Sequence, residues 1–292
     1  VLVFVPEADV LGVVFTARNI ALAVVAGIFV AACGLSFAVI ALVLRPLQVV
    51  SRNMTRTARL REVTEREEEG RSGLREVYDL QTAYSGMNTA MKSFTRYVPR
   101  DVVKDLMASG QLCEIAMKPL RCTMLFSDIA GFTSMCERVP HDELSALVSR
   151  YFGSMSAIVM RHGGTVDKFI GDAIMAVWGA PFAIGNQEAR ATLCAALMEL
   201  ESRGDELGGA FDAAGEHLAI RVGVATGTVL AGNMGSPDRM NYTVIGDDVN
   251  LAARLEALNK QFGTRVMIAE GTAAGLPAGV FALRQLHRVV AP

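Results

Sequence analysis

Two aspartates offer the plainest chemistry in this sequence. Asp128 lies just past a short apolar run, residues 122–126, that reads as a buried strand ending at this aspartate, and Gly131 and the start of a helical pattern follow it. A carboxylate at a strand's end, beside the N–H groups of a helix start, suits a hard cation and the phosphate oxygens that the cation neutralises. It suits a turn residue or a helix cap equally well. Asp172 follows Gly171 between two strand-like runs, residues 165–170 and 173–178, and Gly-Asp fits a tight hairpin with the carboxylate at its tip. Strict alternation on the first of these strands puts Lys168 on one face with Val166 and Ile170. An ammonium among apolar neighbours calls for a partner, or for a stem that snorkels to water.

A third group lies further on. Residues 242–245 read as a strand and Gly246 as a turn, with Asp247 as the N-cap of a helix whose apolar face is Leu251, Leu255, Leu258 and Phe262. Asn250 and Arg254 are four apart and share one side of that helix. Taken alone, they read as a second cap and as a surface ion pair with Glu256 or a neighbour.

Three stretches together resemble the class III nucleotide cyclase catalytic domain. They are Phe126-Ser127-Asp128-Ile129-Ala130-Gly131-Phe132-Thr133, then Asp167-Lys168-Phe169-Ile170-Gly171-Asp172-Ala173-Ile174-Met175-Ala176, then the run from Tyr242 through Gly246-Asp247-Asp248-Val249-Asn250 to Arg254-Leu255. They stand in the family's order, and the resemblance runs from Arg96 to the C-terminus. It implies an adenylate cyclase closing ATP into 3′,5′-cyclic AMP with release of pyrophosphate. By the same resemblance Asp128, the backbone carbonyl of Ile129 and Asp172 hold two Mg²⁺ or Mn²⁺ ions, and Gly131, Phe132 and Thr133 contact the substrate. Lys168 and Thr243 hold the purine, Asn250 positions the ribose, and Arg254 stabilises charge on the α-phosphate. A Lys donor suits adenine N1 and a Thr hydroxyl can accept from the exocyclic amine, whereas guanine-specific members usually carry Glu and Cys there. The resemblance also implies a homodimer, with Asn250 and Arg254 reaching the nucleotide across its interface. Thr243 in place of Asp resembles a subtype often found to be bicarbonate-responsive.

The elements that must position these residues make up the rest of the chain. Its 292 residues allow about two domains, and a net charge of −2 gives no whole-chain reason to expect nucleic acid. No charged residue occurs between Ile20 and Leu44, a run long enough to cross a bilayer as one helix. Arg45, Arg52, Arg56, Arg59 and Arg61 follow it before the first acid, so the positive-inside rule places the C-terminal side in the cytoplasm. Residues 1–19 are then an extracytoplasmic remnant, resembling the end of a Cache-type sensor. With no initiator Met, the chain reads as a fragment. Cys33 lies in the span and Cys113, Cys122, Cys136 and Cys194 on the cytoplasmic side, which agrees with this orientation, and no CxxC pair or paired His suggests zinc.

Residues 45–95 read as a signalling linker. Pro46 marks a helix restart, and after a charged stretch Val77, Leu80, Tyr84, Met87, Met91 and Phe94 recur at a 3-4 spacing, the seam of a parallel two-helix dimer. The pair of helices with its connector resembles a HAMP domain. Residues 96–292 show the order βαββαβ with extra elements after it, and so an α+β, ferredoxin-like core with helices on one sheet face. Residues 218–226 and 228–232 read as two strands, and about 187–207 as one helix. The family continues into a further strand pair bearing a basic residue for the triphosphate; in this sequence Arg288 is its available counterpart. Guanylate cyclase and a non-catalytic, dimeric receptor module are the competing readings. An RNA-binding module on the same core lacks its aromatic strand motif.

Overall fold

The computed structural model describes residues 7–58, 75–109 and 113–286. These fall into two units, divided between Phe94 and Thr95. In the first, α1 (Glu7–Ala58) is one continuous helix of 52 residues. It runs through position 46, where the sequence suggests a restart. Its segment Val14–Ala41 is long and apolar enough to cross a membrane, and large side chains such as Ile28, Phe29, Leu35 and Phe37 stand exposed along it. The second helix, α2 (Arg75–Phe94), buries Val77 and Tyr84 but leaves Leu80, Met87 and Phe94 exposed. Three of the six seam positions are thus uncovered within this chain. The connector of the HAMP-like reading, residues 59–74, lies outside the described residues, as do residues 1–6 and Arg288.

The second unit opens with α3 (Arg100–Ser109) and continues β1 (Ala116–Ile129), α4 (Phe132–Arg138), α5 (His141–Arg161), β2 (Thr165–Ile170), β3 (Ala173–Trp178), α6 (Gln187–Ser202) and α7 (Leu207–Ala213). Then come β4 (Ile220–Ser236), β5 (Arg239–Ile245), α8 (Asp247–Phe262), β6 (Val266–Ile268) and α9 (Glu270–Ala273). The sheet order is β2-β3-β1-β4-β5, antiparallel throughout, with β6 added parallel to β4. Within it β4-β1-β3-β2 is the ferredoxin-like core that the order βαββαβ implies. The hairpin of β2 and β3 has the expected ends, with Gly171 at φ +63° in its turn.

Side chains alternate between two apolar layers. Leu125, Ile174, Ala176, Trp178, Val222 and Val224 meet α5, α6 and α7 through Tyr151, Met155, Val159, Cys194, Met198 and Phe211, all buried. The opposite face carries Cys122, Met124, Met175, Val177, Ala225 and Val244, and it is closed by Val249 and Ala252 of α8. Helices therefore cover both faces, where the sequence pattern led us to expect one.

Two further departures have local causes. β4 is one 17-residue strand, paired with β1 without a break from Ile220 to Asn233, and Gly227 lies within it rather than in a turn. A Cβ at Gly227 would run into the Asp248 carboxylate, and one at Gly223 into the Ala252 and Glu256 backbone. These glycines, with Ala225 between them, let α8 lie close on the strand. The stretch expected as one helix divides into α6 and α7 around Gly204, whose carbonyl accepts from Gly208 N at 2.8 Å.

Candidate active site

β1 ends at Ile129 and Gly131 follows in a left-handed conformation, φ +81°, turning the chain into α4. Asp128 lies in the last pair of strand positions, opposite Arg221 of β4, and its Oδ2 accepts from Arg221 Nη2 at 2.6 Å. Asp172, at the hairpin tip, accepts from the Ile129 backbone N–H at 3.2 Å through its own Oδ2. Two strand ends far apart in sequence thus bring both carboxylates to one place. Burial, and then a hydrogen bond and charge repulsion from Asp128, push the Asp172 carboxyl up to about 6. Arg221 also reaches Glu256 of α8, Nε to Oε1 3.0 Å, and burial, followed by the Asp128 charge, pushes Glu256 up to about 7. Gly131, Phe132 and Thr133 sit where β1 passes into α4, with Phe132 packed on the core and the other two exposed.

A divalent cation fits this place. The donors are hard oxygens, and a cation between Asp128 and Asp172 would relieve the Asp128 repulsion that adds to burial in raising Asp172. Among the described residues no set of three His, Cys, Asp or Glu side chains forms a protein cage. Mg²⁺ typically needs no such cage, being held by one or two carboxylates while phosphates and water fill its shell.

The raised carboxyls fix the sign of a pH effect. Asp172 and Glu256 titrate in the folded chain above their ordinary 3.8 and 4.5, so the folded state binds protons more tightly than the unfolded one. In chelator, the stability that these two groups contribute is fully present below about pH 4 and is lost as pH rises to about 7. Thermal unfolding in chelator should show that fall, and Mg²⁺ should raise the midpoint more at about pH 8 than at about pH 5. Midpoints insensitive to both would contradict the carboxylate pair as a cation site.

The second group forms around Lys168. β2 carries a bulge at Asp167: Val166 pairs with Ala176, but Lys168 pairs with Met175. The extra residue resets the alternation, so Lys168 lies on the face of Met175, opposite Val166, and Asp167 turns with it. This corrects the shared face expected for Val166 and Lys168. The Lys168 ammonium donates to Thr243 Oγ1 at 2.8 Å and to Asp167 Oδ2 at 3.0 Å. The Thr243 hydroxyl donates to the same Asp167 Oδ2 at 2.7 Å. Asp167 and Thr243 also border a cleft walled by Val177, Ala180, Tyr242 and Val244.

Asn250 and Arg254 are exposed on α8. Gly246 rather than Asp247 is the N-cap residue of that helix. Glu256 lies two residues beyond Arg254, about 200° around the helix, so it faces Arg221 while Arg254 faces away from it. Glu256 pairs with Arg221 of β4. The structure brings Asp128, Ile129 and Asp172 together and, separately, Lys168 and Thr243. Arg221, Glu256 and the role of Asp167 escape sequence reasoning: the first two need the β1–β4 register and the seating of α8, the third the bulge.

Residues 116–290 match the family model described as the adenylate and guanylate cyclase catalytic domain. The chain is 35% identical over 197 residues to adenylate cyclase 1 of Rhizobium meliloti (strain 1021), covering 67% of this chain and 29% of that protein. It is 34% identical over 217 residues to an adenylate cyclase of Anabaena cylindrica, covering 72% and 42% respectively. The chain therefore spans less than half the length of these relatives. A bacterial light-regulated adenylyl cyclase superposes with a TM-score of 0.62 at 25% identity, over 75% of this chain and 64% of that one.

Proposed function

The chain belongs to the adenylate and guanylate cyclase catalytic-domain family, and from that membership we propose that it is a membrane-anchored adenylate cyclase, making 3′,5′-cyclic AMP and pyrophosphate from ATP in a homodimer. The observation that carries the choice of ATP is the Lys168–Thr243 pair, a fixed donor beside a hydroxyl. Lys168 donates to adenine N1 and Thr243 accepts from the exocyclic amine. Asp128 and Asp172, with the Ile129 carbonyl, would hold two Mg²⁺ or Mn²⁺ ions, which supply Lewis-acid polarisation of the 3′-hydroxyl and the phosphates. Gly131, Phe132 and Thr133 offer the backbone of a helix start to phosphate oxygens. Asn250 orients the ribose so that its 3′-oxygen lies in line with the α-phosphorus, and Arg254 neutralises the charge that develops there.

Arg254 projects from the other side of α8 from Glu256, which reaches Arg221 and through it Asp128, and this supports a site in which a second copy supplies the arginine. The exposed Leu80, Met87 and Phe94 of α2 suit the pairing of two parallel helices that would hold the copies together. The apolar segment Val14–Ala41 anchors the dimer, with the catalytic domain on the arginine-rich, cytoplasmic side, and the linker passes rearrangements of the anchor to the site.

Base choice is testable directly. Lys168→Glu combined with Thr243→Cys should move the preference from ATP towards GTP by on the order of a hundredfold in the ratio of kcat/KM values. An unchanged ratio in a folded, active protein would take the base away from this pair.

A further inference from the structure

We infer that Asp167 determines the base selectivity of this site by fixing the direction of the Thr243 hydroxyl. The inference rests on the purine lying against Lys168 and Thr243. A threonine hydroxyl has one proton and two lone pairs, and can face a ligand as donor or as acceptor. Here both choices are constrained. A carboxylate only accepts and an ammonium only donates, so the Thr243 proton goes to Asp167 Oδ2 at 2.7 Å and one lone pair takes the Lys168 proton at 2.8 Å. What remains for a ligand is a lone pair.

A hydroxyl held in that state accepts from an amine at the purine 6-position and opposes a carbonyl there, because two acceptors then face each other without a proton. In the same pose Lys168 meets a bare ring nitrogen in adenine and an N–H in guanine, so the second contact discriminates in the same sense. The arrangement is held firmly. The Asp167 side chain is only 7% exposed, and Thr243 is buried. The bulge in β2 is what lets Asp167 and Lys168 reach the hydroxyl from the same face. Without the Asp167 oxygen the Thr243 proton would be released, and the hydroxyl could turn to donate to a guanine carbonyl.

The test is steady-state cyclisation of ATP and of GTP by the full chain in detergent, for wild type, Asp167→Ala, Asp167→Asn, Thr243→Val and the Asp167→Ala/Thr243→Val double variant. The ATP-to-GTP ratio of kcat/KM values should fall at least about tenfold in Asp167→Ala, which one misdirected hydrogen bond accounts for. Asp167→Asn keeps an acceptor oxygen and should retain most of the ratio. In the Thr243→Val background Asp167→Ala should change the ratio no further, since no hydroxyl remains to be directed. An Asp167→Ala protein with lower activity but an unchanged ratio would reduce Asp167 to a packing residue and overturn the inference. So would an undiminished effect in the Thr243→Val background. A wild-type chain that makes no cyclic AMP would instead remove the reading on which the inference rests, and the two failures are therefore distinct.

Discussion

Asp172→Ala and Arg254→Ala each lower cyclic AMP formation by on the order of a hundred- to a thousandfold, and mixing the two inactive proteins restores about a quarter of the wild-type rate. The first loss follows from removing one of the two carboxylates that the strand ends bring together. The second follows from removing the cation proposed to neutralise the α-phosphate. Recovery follows from the proposed shared site, which the placement of Arg254 on α8 two residues before Glu256 supports, since Glu256 reaches Arg221 and through it Asp128. If each site takes its carboxylates from one chain and its arginine from the other, random exchange makes half the dimers mixed. Every mixed dimer has one intact site and one doubly broken site, and half of one half is a quarter. Exchange can be followed by energy transfer between labelled chains. Demonstrated exchange without recovered activity would show that Arg254 and Asp172 serve the same chain's site.

Gly223→Val lowers the stability of the catalytic domain by about 3 kcal/mol or more. β4 and α8 meet at Gly223 so closely that a Cβ would fall inside van der Waals contact of the Ala252 carbonyl and the Glu256 nitrogen, both helix backbone atoms. No side chain can swing aside there, so either the helix lifts or the strand bends. Lifting α8 would also draw Glu256 from Arg221 and uncover Val249 and Ala252. Trp178, the single tryptophan, is fully buried in β3, so its fluorescence follows unfolding of this domain. The midpoint should drop by on the order of 10 °C. Gly153→Ala is the control: Gly153 lies in α5 with nothing near a built Cβ, and alanine there should leave the midpoint unchanged or raise it. Equal midpoints for Gly223→Val and wild type would contradict the close seating of α8.

What the sequence made legible was local. The hairpin around Gly171-Asp172 could be read to its ends, because alternating apolar residues and a Gly-Asp turn need only neighbours to specify them. α8 was legible for the same reason, its apolar face recurring along the helix. The failures came where a distant element decides. Gly227 looks like a turn until α8 is placed on it, and then it is a gap in a continuous strand. Lys168 was put on the wrong face because one unpaired residue, Asp167, shifts the period, and a bulge leaves no mark in an alternating pattern. Arg221 drew no notice because its partners, Asp128 and Glu256, lie 93 residues before it and on another helix. The two aspartates could be named from their motifs, but their contact through the Ile129 N–H could only be seen once β1 and β3 were in register.

The most direct measurement is product formation by the full chain in detergent, given ATP and GTP in parallel with Mn²⁺ and then Mg²⁺, with Asp128→Ala as the blank. Cyclic AMP from ATP, little cyclic GMP from GTP, and neither from Asp128→Ala is the predicted result. A folded dimer that cyclises GTP in preference to ATP would contradict the part given to Lys168 and Thr243, and one that cyclises neither would contradict the enzyme itself.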